Sequence, residues 1–178
     1  MTPIEIALWL LLLHGGLGAI DTFFHHEWLE RLPERPAART ELALHAARSV
    51  SFVLIFGGLA WLEWHGAWSW ILLGLLGLEI ALTVADSVVE DRIRVLRPSE
   101  RINHMLLAFN TGAYTALVGW QVAGEWRHEP TALLATRHLV VSELLTACAV
   151  VIAIWAVRDG TAARRLRRRS PAVPASVS

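Results

Sequence analysis

The chain of 178 residues has no lysine, one cysteine, one tyrosine and few charges, and each shortage narrows what it can be. A single thiol, Cys148, excludes an intrachain disulfide framework and any cysteine-rich zinc site. Charged residues make up 18% of the chain, against roughly 25% in ordinary soluble domains, while hydrophobic residues reach 54% and mean hydropathy is +0.45. These values argue against a typical soluble domain and against a disordered chain. No phosphate-binding loop, nucleophile elbow or dinucleotide fingerprint is present, and no nucleic acid is expected among the partners. What the chain does have is 9 tryptophans and 16 basic residues, all arginine, balanced by 16 acids. The resulting net charge of zero hides a strong segregation along the sequence.

Five segments are apolar enough to span a bilayer: 4–24, 46–64, 67–89, 105–124 and 138–157. Each is close to the ~20 residues a helix needs to cross ~30 Å of hydrocarbon. Helices are expected because an open strand edge in lipid leaves backbone groups unpaired. The first span lacks a basic start and carries Asp21, so it does not read as a cleavable signal peptide. Arginines crowd the connection after the first span (Arg31, Arg35, Arg39, Arg48), the connection after the third (Arg92, Arg94, Arg97, Arg101), and the tail, leaving only Arg127 and Arg137 opposite. The positive-inside rule then puts the N-terminus outside and the C-terminus in the cytoplasm of a multi-pass protein of the inner cell membrane. Trp61, Trp64, Trp68, Trp70, Trp120 and Trp126 gather at the outer boundary, where amphipathic rings prefer to sit. Residues 1–159 form one transmembrane domain on this reading. Residues 160–178 form a basic, then proline- and serine-rich tail, expected to be disordered and to rest on anionic lipid.

The chain also repeats itself. Asp21-Thr-Phe-Phe-His25-His26 matches Asp86-Ser-Val-Val-Glu90-Asp91 at an offset of 65 residues, and His14 then falls on Glu79. Glu41…His45 matches Glu100…His104 at an offset of 59, and Trp61 falls on Trp120 at the same offset. The fold class that follows is an all-α membrane protein of five transmembrane helices. Two tandem helical hairpins (4–64 and 67–124) form a four-helix bundle about a pseudo-twofold axis, with a fifth helix added. That helix either closes the bundle or faces a second copy in a homodimer.

What the repeat preserves is polar chemistry. Four helices carry pairs four residues apart, Asp21/His25, Glu41/His45, Asp86/Glu90 and Glu100/His104, and residues at that spacing share a helical face. With turns near Pro33–Pro36 and Pro98, all eight fall in one layer near the arginine-rich end. Ionisable groups in or near hydrocarbon face the bundle interior and pair, and five carboxylates against three imidazoles call for a cation. Imidazole and carboxylate on facing helices is the ligand logic of dimetal carboxylate bundles, although those use Glu-x-x-His where this chain has Glu-x-x-x-His. Oxygen and nitrogen donors without thiolate suit two iron or manganese ions, with zinc as the alternative. The structural alternative is a set of interhelical salt bridges, for instance Asp21 with Arg48. His26 points about 100° away from His25 on an α-helix and is read as a surface residue.

The leading functional expectation is therefore an oxygen-dependent oxidoreductase acting on a lipophilic substrate that enters from the bilayer, with an electron-donor protein as its further partner. His14 and Glu79, two turns deeper, are the candidate catalytic pair, with Asn110 and Tyr114 along the substrate path. Three alternatives stand beside it. One is a proton or cation transporter using the ladder His14–Asp21–His25 and Glu79–Asp86–Glu90. Another is a haem electron carrier ligated by His45 and His104. The last is a non-catalytic scaffold with a salt-bridged core.

Overall fold

The computed structural model describes residues 1–169. Helices dominate it: α1 (Pro3–Ile20), α2 (Arg39–Trp61), α3 (Ala67–Ile93), α4 (Pro98–Gly124) and α5 (Val140–Arg169). Four stretches are long and apolar enough to cross a membrane: Pro3–Leu29, Pro36–Trp61, Ala67–Ile93 and Val140–Arg168. The sequence expectation of a fifth span at 105–124 falls on α4, which is as long as α3 but is not one of these four. Asn103, Asn110, Thr111 and Gln121 lower its hydropathy, and all four are buried. Asn103 Nδ2 donates to the Leu17 carbonyl at 3.2 Å and Asn110 Nδ2 to the Leu10 carbonyl at 2.9 Å, which ties α4 to α1.

The closest packing joins α5 to α2 and α1 to α4, followed by α2 to α3 and, less, α5 to α1, whereas α1 and α2, and α3 and α4, touch little. The tight antiparallel hairpins expected from the proline turns are thus replaced by pairings across the two halves of the chain. The bundle interior changes character along its length. Toward one end the core is apolar, built from Leu8, Leu11, Ile55, Phe56, Leu59, Leu72 and Val118 among others. Toward the arginine-rich end it becomes polar, and a small apolar cap of Leu32, Ala38, Leu42, Ala163 and Leu166 closes it.

Three local features depart from the sequence reading. Leu62–His65 and Ala132–Ala135 form two short antiparallel strands, β1 and β2, where only helix and loop were expected. Pairing them satisfies backbone groups where the chain leaves the helices. The turn that follows β1 needs Gly66, which has φ of 58° and lies so close to Thr131 that a Cβ would sit 2.5 Å from its Oγ1. The tail expected to be unstructured from residue 160 is helical as far as Arg169, because Ala163 and Leu166 bury against Leu32, Ala38 and Leu42. Residues 170–178 of that expected tail lie outside the described residues. Finally, α1 runs into nine residues of π-helix, Asp21–Leu29.

Candidate metal centre

The π-helical segment decides which side chains enter the site. In an α-helix residues four apart are aligned, whereas π winding bonds i to i+5, as in the Glu30 N–H to His25 carbonyl bond of 2.9 Å. Asp21 and His26 therefore come to one face. His26 is 4% exposed, and its ring stacks on His45 at a centroid distance of 4.5 Å. The expectation that His26 is a surface residue is corrected by this winding. His25 is also buried but turns elsewhere, its Nδ1 3.0 Å from Asp21 Oδ1 and its Nε2 3.2 Å from Ser99 Oγ.

Two groups of side chains present atoms that could hold a metal ion. Asp21, His26, Glu100 and His104 form one; His26, Glu41, His45 and Glu90 form the other. Within each group the ligand atoms all lie within 4.8 Å of one another. Six of the eight residues singled out by spacing are thus brought together: Asp21, Glu41, His45, Glu90, Glu100 and His104. Asp86 and His25 lie at the edge. Asp86 Oδ2 lies 2.9 Å from His45 Nε2 and accepts from Arg48 Nη1 at 2.8 Å, so Arg48 pairs with Asp86 rather than with Asp21. Asp21 Oδ2 lies 3.1 Å from His104 Nε2. Asp21–His104 and Asp86–His45 are thus two contacts of one kind, an aspartate against the histidine of another helix.

Arg94 was read from sequence as one of the arginines that fix orientation. The structure places its side chain, 7% exposed, inside the cluster. Just past the end of α3, it folds back and donates to Glu41 Oε1 (2.9 Å), Glu90 Oε1 (3.0 Å), Glu100 Oε1 (2.7 Å) and Glu100 Oε2 (2.9 Å). Burial alone would lower its pKa, but Glu100 and Glu41 outweigh that and hold the guanidinium above its ordinary value. One oxygen of Glu41 remains buried without a hydrogen-bond partner among the described residues. Nearby, Glu30 takes Arg97 at 2.9 Å and Arg35 at 2.9 Å. Burial would raise its carboxyl, but the Arg97 hydrogen bond and the surrounding arginines bring it below its ordinary value.

The candidate catalytic pair is not joined by a hydrogen bond or ion pair among the described residues. His14, 5% exposed, packs against Phe52 at 4.9 Å and edge-on to Tyr114 at 5.5 Å. Glu79 accepts from Thr83 Oγ1 at 2.7 Å, and no hydrogen bond joins it to His14 among the described residues. A cavity of about 510 Å³ opens between α1, α2 and α5, with His14 in its wall and Asp21, His26 and His45 at its polar end. Glu79, Asn110 and Tyr114 do not line this cavity.

Comparison with protein-family models, curated protein sequences and solved structures finds no match to this chain.

Proposed function

We propose that the chain is a membrane-embedded metalloprotein whose four-helix core holds two divalent transition metals, iron or manganese, with zinc as the alternative, and that it is an oxygen-dependent oxidoreductase of a lipophilic substrate. Buried Asp, Glu and His groups that could hold a metal ion are present, and one observation carries the proposal from there. Among the described residues, five buried carboxylates (Asp21, Glu41, Asp86, Glu90, Glu100) have between them two guanidinium partners, Arg48 and Arg94. With neutral imidazoles this leaves an excess of negative charge in a low-dielectric interior, which is costly unless cations neutralise it. Asp21, Glu100 and His104 would hold one ion and Glu41, His45 and Glu90 the other, with His26 between them.

Oxygen and nitrogen donors without thiolate suit iron, manganese or zinc. Bound iron or manganese would supply oxygen activation and electron exchange. The chain's own residues do the rest. Arg94 fixes the outer oxygens of three glutamates and His25 orients Asp21, the outer-shell role that tunes ligand geometry and basicity. The equivalence of Asp21–His104 and Asp86–His45 supports the tandem repeat and its pseudo-twofold axis. The arginine bias supports a centre on the cytoplasmic side of an inner membrane, from which an electron-donor protein would approach.

A second reading is favoured by the same arginines. The cluster could be a salt-bridged core in which Arg48, Arg94 and protonated imidazoles neutralise the acids, with a structural role only. Two other readings are weaker. His45 and His104 each direct Nε2 at an aspartate, which disfavours axial haem ligation. The apolar core toward the strands interrupts the acid ladder that transport would need.

Elemental analysis of the full chain, purified without chelators, separates the two main readings. The expected result is about two equivalents of iron, manganese or zinc per chain, reduced in Glu100→Ala. Protein free of all three metals, and unable to take them up, would establish the salt-bridged core instead.

A further inference from the structure

The cavity between α1, α2 and α5 has a polar end and an apolar body. Its polar end is Asp21, His26, His45 and Arg48; its body is walled by Leu12, Phe52, Phe56, Val151, Ile152 and Trp155. Its rim includes Gly16, Ala19, Ala147 and Val151, all exposed on the outside of the bundle, so the cavity opens between α1 and α5 onto the surface that lipid would cover. Glycines shape the α1 wall. A Cβ at Gly15 would come within 3.3 Å of Phe56, whereas Gly16 and Gly18 have nothing within 4 Å. At its polar end, the Arg48 guanidinium is held by Asp86, to which Nη1 donates at 2.8 Å.

We propose that this cavity binds one hydrocarbon chain, acyl or prenyl, that enters from the bilayer between α1 and α5 and ends in an oxygen facing Arg48 and the Asp21–His26–His45 wall. Volume, lining and polarity agree on that class of ligand. A cavity of about 510 Å³ lies within the usual range of small-molecule sites. A sixteen-carbon acid or a fifteen-carbon prenyl alcohol is of that class. Apolar walls with a few convergent polar groups at one end are the usual form of a ligand site. As the substrate of the proposed metal centre, the chain rests on that reading, but its binding is tested apart from it.

The test uses the full chain in nanodiscs with two photoactivatable probes, a diazirine analogue of palmitate and one of farnesol. Labelling is expected on the α1 segment around residues 12–23 and the α5 segment around residues 144–155, competed by unlabelled palmitate or farnesol. Whichever probe is competed at lower concentration identifies the chain class. In the Gly16→Leu/Gly18→Leu double variant the new side chains start in open space, so the fold is kept, but they enter the cavity. Labelling should fall at least tenfold there. It should be unchanged in Gly77→Leu, a glycine of α3 that also has nothing within 4 Å and does not line the cavity. Labelling spread evenly over all lipid-facing helix surfaces, or undiminished in the double variant, would overturn the proposal. Metal content is measured on the same samples. Metal-free protein with competed labelling at these segments would remove the metal centre and leave the chain site standing, and metal-loaded protein without such labelling would do the reverse.

Discussion

Removing Arg94 tests the charge balance of the site directly. Arg94→Met keeps an unbranched apolar stem and deletes a cation that donates four hydrogen bonds to three buried glutamates at 2.7–3.0 Å. Breaking a buried ion pair from one side costs about 3–5 kcal/mol, because the remaining charge is left uncompensated. For a chain of this size each kcal/mol moves the melting temperature by roughly 2–4 °C, so the chelated protein should melt about 6–20 °C lower. A bound divalent ion offers those carboxylates another cation. A ligand at a hundred times its Kd adds about 2.7 kcal/mol, so saturating metal should restore a large part of the loss. The assay is a thermal melt of wild type and variant in detergent, each with chelator and with added Mn²⁺ or Fe²⁺. A chelated Arg94→Met protein that melts with the wild type would refute the claim that these carboxylates share one buried counter-ion. Equal destabilisation with and without metal would refute the claim that metal neutralises the same charges.

Two further predictions follow from neighbouring residues. His26→Ala should abolish most metal binding, since His26 belongs to both ligand groups, whereas His25→Ala should keep the stoichiometry and weaken affinity about 10–100-fold by releasing Asp21; metal titration followed by elemental analysis distinguishes them, and an intact site in His26→Ala would contradict the assignment. Glu30 has its folded pKa below the ordinary 4.5, so its stabilisation is full above that value and is lost as pH falls through the folded value. Glu30→Gln should therefore lower the melting temperature at pH 6–7 and narrow the gap to wild type as the pH falls below about 4, and an equal gap at both pH values would show that the Arg35 and Arg97 pairs contribute nothing.

The sequence carried the level of each polar side chain and missed two of the directions. Spacing from the turns put all eight side chains in one layer near the arginine-rich end, because rise per residue is nearly constant in helices whatever they pack against; that Asp21 would meet His104 and Asp86 meet His45 within it was not read. Which helices would touch was not legible. Turn length says that consecutive helices are antiparallel, not that they are in contact, and Asn110, which ties α4 to α1, was read as part of a substrate path. Arg94 was hidden because an arginine just past a helix end looks like a topological signal, while its long side chain can fold back under the bundle. β1 and β2 pair across a separation of seventy residues. The run LEWH does alternate apolar and polar, but four residues at the end of an apolar helical run are too few to announce a strand, and ALLA does not alternate at all. His26 was hidden by the winding of its helix, which nothing in Asp21–Leu29 declares, although two adjacent histidines beside a repeated acid marked the place to look.

The π-helical segment also bears on the proposed repeat. At a constant offset of 65, His25 is the counterpart of Glu90, yet His26 and Glu90 are the residues that join metal-binding groups. One extra residue in the first copy resolves this. Asp86 and Glu90 lie four apart in the α-helix α3, and Asp21 and His26 lie five apart in a π-helix, so both pairs share a face of their helix. Deleting Thr22 should then convert the segment to α-helix and set Asp21 and His26 four apart, the spacing of Glu41/His45 and Glu100/His104. The site should survive with its metal content near that of the wild type. Deleting the equivalent Ser87 removes a residue from a helix with none to spare. It turns Glu90 about 100° relative to Asp86 and should lose metal. Metal content and helical circular dichroism of the two variants decide the matter. Loss of metal from a folded Thr22 deletion would mean that the π geometry itself, and not an extra residue absorbed by it, is what holds His26 in place.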